Sequence, residues 1–205
     1  MFNVNRLPIP QKLLRDNLSI PGGLTQYLVR YPTHLLSAVE ALFFGLGTET
    51  CIGISLQLTQ AGKLHAAAFC IGDKVLVVDN LFLSRLKEHT DRQKESQELL
   101  KQLCSNESAP LAGFNIGRIV MHLRVGLGVH ASGVDISSIF TDKKPASPGQ
   151  CFQGIVCPTV DSFVVDELWE SVYLSNNEDN GQRDLMLRAW ISFQYVFTQF
   201  PLSQF

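Results

Sequence analysis

The carboxylates best placed to do chemistry in this chain are Glu49, Asp73, Asp79, Asp135, Asp142, Asp161, Asp166, Glu167, Glu170 and Asp184. Metal-assisted work on a phosphate needs several of them in one cleft, because divalent cations must be offset by negative charge at short range. Asp79 closes the apolar run KVLVVD, and strand ends are where α/β folds gather functional groups. Asp135 follows another strand-like run. For both, the plainer reading is a turn or cap residue. Asp166 and Glu170 share a helix face and read as a solvated stripe. His65 on a strand and His122 on a helix are the general-base candidates, each with a structural reading beside it. No G-x-S-x-G, G-x-G-x-x-G or G-x-x-x-x-G-K-[ST] pattern is present, and Cys157 before Pro158 has no histidine placed near it by sequence.

Composition narrows the classes of function. Seventeen basic against 19 acidic residues give a formal charge of -2, so no large positive field favours nucleic acid and any such contact needs a local patch. The five cysteines, Cys51, Cys70, Cys104, Cys151 and Cys157, are odd in number and include no C-x-x-C pair. The start, MFNVNRLPIPQKLL, lacks the basic and apolar regions of a secretory signal, so a reducing compartment, cytoplasm or nucleus, is expected. Cys51 and Cys70 sit in apolar runs and read as buried small hydrophobes. The histidines do not fall at zinc-finger spacing, and neither a metal nor a cofactor is expected. No apolar run approaches about 18 residues, so no membrane span is expected.

The elements that must position these groups follow from periodicity and turn chemistry. A chain of 205 residues suffices for one core. Residues 1–23, punctuated by Pro8, Pro10 and Pro21, read as an N-terminal arm, and 24–205 as a single domain. Pro32 interrupts any helix through LTQYLVRYPTHLL, while THLLSAVEALFF predicts a helix capped by Thr33 or Ser37 and ended by Gly45 or Gly47. Residues 48–58, LHAAAFCIG and KVLVVD, separated by tight turns, predict an antiparallel meander. LFLSRLKEHTDRQKESQELLKQLC predicts a helix with an apolar stripe at either end. LAGF reads as a strand, NIGRIVMHLRVGLG as a helix, VDIS as a short strand and TDKKPASPGQ as a loop. CFQGIVCPTVDSFVVDELWESVYL carries one strand-like and one helix-like piece. RDLMLRAWISFQYVFTQF is the final helix, expected to bury Leu185, Leu187, Trp190, Tyr195 and Phe197. This alternation is that of an α/β domain.

In that order, CIGISLQL, GKLHAAAFCIGDKVLVVD, a helix, PLAGFNIGRIVMHL, GLGV and SGVDIS resemble the 3′–5′ exonuclease domains of the DEDD superfamily, the RNase D-like group above all. That family carries D-x-E on its first strand, an aspartate closing the third, and a "K-x-x-H-N-x-x-x-D" segment. A "v-F-D-T" strand and a tyrosine with an aspartate four residues later complete the set. The resemblance implies an RNase H-like mixed sheet flanked by helices. It lays the D-x-E carboxylates on Ser55 and Gln57, the second acidic position on Ile119 and the last aspartate on Gln199, beyond Tyr195. The histidine before Asn115 is Phe114. Asp79 falls on the strand-end aspartate and Asp135 on the structural aspartate of v-F-D-T, and these two are all that would remain of a site. No slip within ETCIGISLQLT restores D-x-E.

Serine, glutamine and isoleucine supply no negative charge, so two-metal hydrolysis is not expected. The resemblance implies a degenerate, catalytically inactive exonuclease-like domain. Such a domain would act as a scaffold or interaction subunit of an RNA-processing or small-RNA complex. A protein partner or homo-oligomer is expected, and RNA stays open, with Arg118, Arg124, Lys143 and Lys144 as the candidate contacts. The helix from Leu81 to Cys104 and the N-terminal arm are candidate protein contacts. Two other readings stand beside this one. One is a subunit of another assembly with an unrelated α/β fold. The other is an active enzyme using Asp79, Asp135, His65 and His122.

Overall fold

The computed structural model describes residues 3–9, 23–44, 51–79, 82–83, 91–138, 146–170, 172–173 and 178–199. Its centre is the predicted meander: β3 (Ile52–Leu58), β4 (Leu64–Ile71) and β5 (Lys74–Val78), paired antiparallel in sequence order. The β4–β5 turn has only Gly72 and Asp73 between paired residues, and Gly72 takes φ +61, a conformation glycine adopts without a Cβ clash. Every residue of β3 is buried, as befits a strand covered on both faces.

Two parallel pairings extend the meander. β6 (Leu111–Gly113) lies beside β3, with β7 (Gly133–Asp135) beyond it. On the other side β2 (Leu24–Val29) runs parallel to β5, and β1 (Asn3–Leu7) pairs antiparallel with β2. The described sheet is mixed, in the order β1-β2-β5-β4-β3-β6-β7. Two expectations are corrected here. Residues 3–7 belong to the sheet rather than to a free arm, and LTQYLV is a strand rather than part of a broken helix.

The helices are α1 (Leu35–Phe43), α2 (Asp91–Cys104), α3 (Ile116–Leu127), α4 (Pro148–Ile155), α5 (Ser162–Glu170) and α6 (Glu178–Gln199). A 3-10 turn over Pro32–His34 precedes α1, and His34 sits at its cap without a side-chain cap bond, so neither Thr33 nor Ser37 caps it. Gly45 and Gly47 lie outside the described residues. So does the middle of the predicted helix through Leu81, of which Phe82, Leu83 and all of α2 are described.

CFQGIV is helical, correcting the strand-like reading. Ser147 and Gln150 form a reciprocal capping box with Pro148 at the first position of α4. Asp166 is no solvated stripe: it accepts from Ser147 Oγ at 2.8 Å and from the Gly149 amide at 2.7 Å, tying α5 to the start of α4.

Helix α6 runs across β3 and β4 and is buried from Asp184 to Tyr195. Helices α4 and α5 pack on it, with Phe152 against Trp190. Leu185, Leu187, Trp190 and Tyr195 are buried as expected, whereas Phe197 is half exposed. The five cysteines are all buried and none forms a disulfide, and burial pushes the Cys51, Cys104 and Cys151 thiols up to about 12.

Candidate functional site

Alternation along β3 sends Gly53, Ser55 and Gln57 to the α6 side and Ile54, Leu56 and Leu58 to the other face, where α3 packs. On the α6 side, Arg188 is fully buried. Its guanidinium donates to Ser55 Oγ at 2.9 Å, to the Leu56 carbonyl at 2.9 Å and to the Leu168 carbonyl at 2.7 Å. Burial lowers its pKa to about 10, and the nearby Asp184 carboxylate opposes that shift. The group is therefore cationic at neutral pH. Gln57 lies beneath α6 against Gly181, its amide nitrogen buried without a hydrogen-bond partner among the described residues.

A cleft of about 310 Å³ opens beside β3. It exists because β6 pairs with β3 only at Ile52 and Gly53, after which the chain turns away into α3. Farther along, the Val172 carbonyl accepts from the Leu58 amide at 2.8 Å and closes the gap. Ile54, Ser55, Leu56, Leu58, Phe114, Asn115, Arg118, Ile119, His122, Trp169, Glu170, Val172 and Tyr173 line it. Phe114 meets Trp169 edge-on at 5.1 Å and Tyr195 at 6.3 Å between ring centroids. The Arg118 guanidinium lies over the Tyr173 ring at 5.3 Å and donates to its hydroxyl. Burial, and then the charge of Arg118, push the His122 imidazole below its ordinary pKa.

The residues singled out in sequence are distributed as follows. Ser55 and Ile119 share the walls of this cleft. Gln57 turns away from it, and Gln199 ends α6, about 16 Å along the helix axis from Arg188. Asp79 accepts from Arg30 Nε at 3.1 Å and caps the turn at the Phe82 amide, also 3.1 Å away. Asp135 lies four strand spacings from β5, about 19 Å across the sheet. Its carboxylate accepts from the Asn115, Ile116 and Ser137 amides at 3.0–3.2 Å and from Ser137 Oγ at 2.6 Å. It thereby fastens β7 to the first turn of α3, where Asn115 is held at φ +58.

Asp135→Ala should therefore cost about 1–2 kcal/mol of stability through loss of that cap, with Asp135→Asn milder, measured by urea unfolding. His65 is half-buried on β4 and is not among the residues that line the cleft with His122. Among the described residues no three His, Cys, Asp or Glu side chains come together to hold a metal ion. Arg118 and Arg124 are exposed on α3, while Lys143 and Lys144 lie outside the described residues.

Sequence reasoning missed Arg188, Trp169 and Tyr173. An arginine in RDLMLRAW carries no local mark of burial. The spacing of Trp169 and Tyr173 was a visible but weak cue for a shared surface.

The central mixed sheet, its opening meander and the flanking helices form an α/β fold of RNase H-like architecture. In structure the chain is similar to Trypanosoma brucei RNase D in complex with the RNA U12, at TM-score 0.60 and 15% identity, covering 88% of this chain and 63% of that one. It is likewise similar to the GMP complex of T. brucei RNase D, at TM-score 0.62 and 14% identity, covering 88% and 57%. This chain thus spans about three fifths of the RNase D chains it matches, and the likeness is one of fold. No protein-family model matches it, and no curated protein matches it in sequence.

Proposed function

We propose that this chain is a nuclease-fold module that does not hydrolyse nucleic acid and serves as a scaffold or interaction subunit of a protein or ribonucleoprotein complex. Arg188 carries the reading. Two divalent ions about 4 Å apart would need a cluster of carboxylates around them. On the strand to which the resemblance assigns D-x-E, Ser55 instead accepts from a buried guanidinium. That guanidinium is held by three protein acceptors and is already positive. A divalent cation brought beside it would meet repulsion in a poorly hydrated interior. Removing carboxylates also makes room for a binding role, because the cleft wall at Ser55 and Ile119 no longer repels an acidic partner.

The test is incubation with end-labelled single-stranded RNA and DNA in Mg²⁺ and in Mn²⁺, with Mn²⁺ uptake followed by electron paramagnetic resonance. Substrates should stay full length and no stoichiometric Mn²⁺ should bind. Stepwise shortening that tracks the metal and survives repurification would overturn the reading.

A further inference from the structure

We propose that the cleft between β3, α3 and the end of α5 receives a short acidic segment of a partner protein. One large apolar side chain of that segment enters the cleft, and its carboxylates lie along Arg118 and Arg124. This rests on the reading of the chain as an interaction module and names the chemistry of its partner.

The shape and charge of the surface argue for this occupant. Ile54, Leu56, Leu58 and Val172 give the cleft aliphatic walls, and its volume suits a side chain such as leucine or phenylalanine. Outside it, α3 exposes Met121 at 53% and Val125 at 81%, one turn apart. Along the helix Met121 lies between Arg118 and Arg124 and Val125 just beyond Arg124, and the two arginines stand about 9 Å apart along the axis and about 120° apart around it. That span is reached by carboxylates about three residues apart on an extended chain.

Neither arginine has a carboxylate partner among the described residues. Arg118 uses one nitrogen on the Tyr173 hydroxyl, and its other donors meet no acceptor among the described residues. Glu170, on the opposite lip, sets the polarity, so that the acidic end lies along α3 and not across α5.

Single-stranded RNA fits less well. Sequence-tolerant binding stacks bases on open aromatic faces over a basic track. Here one face of Tyr173, itself 40% exposed, is taken by Arg118, and Phe114 is only 7% exposed between Trp169 and Tyr195, so no row of open rings lines the cleft among the described residues.

The test uses the full chain and fluorescence polarisation. The probes are a labelled peptide with glutamates flanking a phenylalanine and a leucine, its glutamine counterpart, and labelled oligouridylate. Arg118→Glu and Val125→Asp are both exposed changes, and their folding is checked by thermal melts. Expected are saturable binding of the acidic peptide, weaker binding of the glutamine counterpart, and a loss of about tenfold or more in each variant. Absence of peptide binding, or binding that ignores both variants, overturns the proposal. Oligouridylate binding lost in Arg118→Glu, with no peptide binding, replaces the partner with nucleic acid and leaves the module reading standing. Self-association abolished by Val125→Asp replaces it with a second copy. Metal-dependent shortening of the oligouridylate is a different failure, because it removes the module reading itself.

Discussion

Arg188→Met is expected to destabilise the fold by about 3 kcal/mol, a fall of roughly 6–12 °C in melting midpoint for a domain of this size. Methionine nearly matches the stem of arginine in volume and apolar character, so the loss is not one of packing. What goes is a planar donor serving three acceptors at once: Ser55 Oγ and the Leu56 and Leu168 carbonyls. A buried acceptor left without its donor costs about 1–3 kcal/mol. Against this stands the relief of a desolvated charge, the same burial that lowers the guanidinium pKa to about 10. The acceptors win because the change removes one side of the network and leaves the other in place. Arg188→Lys keeps the charge but cannot span all three acceptors, so it should fall between. Urea and thermal unfolding of the three chains decide the order. A methionine variant as stable as the parent would show that the guanidinium is a tolerated burden rather than a brace.

Gly53→Ala is expected to be at least as damaging, at or above the upper end of the roughly 1–3 kcal/mol that overpacking usually costs. An added Cβ would sit on the Ala189 carbonyl oxygen, 2.5 Å from the Phe193 nitrogen and 2.7 Å from the Phe193 Cβ. Two of those neighbours are backbone of a helix buried from Asp184 to Tyr195, so no rotamer change relieves the clash. Either α6 lifts from β3, opening the Arg188 hydrogen bonds, or the strand shifts against β4 and β6. Gly117→Ala is the matched control, since a Cβ there meets nothing within 4 Å. It should be neutral or slightly stabilising in the same unfolding assay, through better helix propensity. Equal stability of Gly53→Ala and the parent would mean that α6 does not pack this closely.

How much of this could be read in the sequence depended on how local the determinant was. The β3–β4–β5 meander was legible because its turns and pairings lie between chain neighbours, with Gly62 and Gly72 at the bends. β2 was not, because LTQYLV sits between a glycine pair and Pro32, and its hydrogen bonds go to β5 across a long loop closure. The capping box of α4 stood in the sequence as Ser147-Pro-Gly-Gln150 and was masked by its loop-like composition. Asp135 was read both as a turn or cap residue and as a remnant of a site, and its actual partners, the Asn115 and Ile116 amides about 20 residues back at the start of α3, were not legible locally. Arg188 was out of reach: its partners lie 20 to 133 residues away, and only the crossing of α6 over β3 brings them together.

The position of β1 and β2 carries one more consequence. They shield the outer edge of β5, whose run Val75-Leu76-Val77-Val78 is fully buried. A chain shortened past Val29 would bare that run as an open, apolar strand edge, the kind of template on which chains stack into aggregates. Solubility of this domain therefore hangs on its first residues, and an expression fragment begun at the meander is expected to precipitate even though the cleft residues are all present.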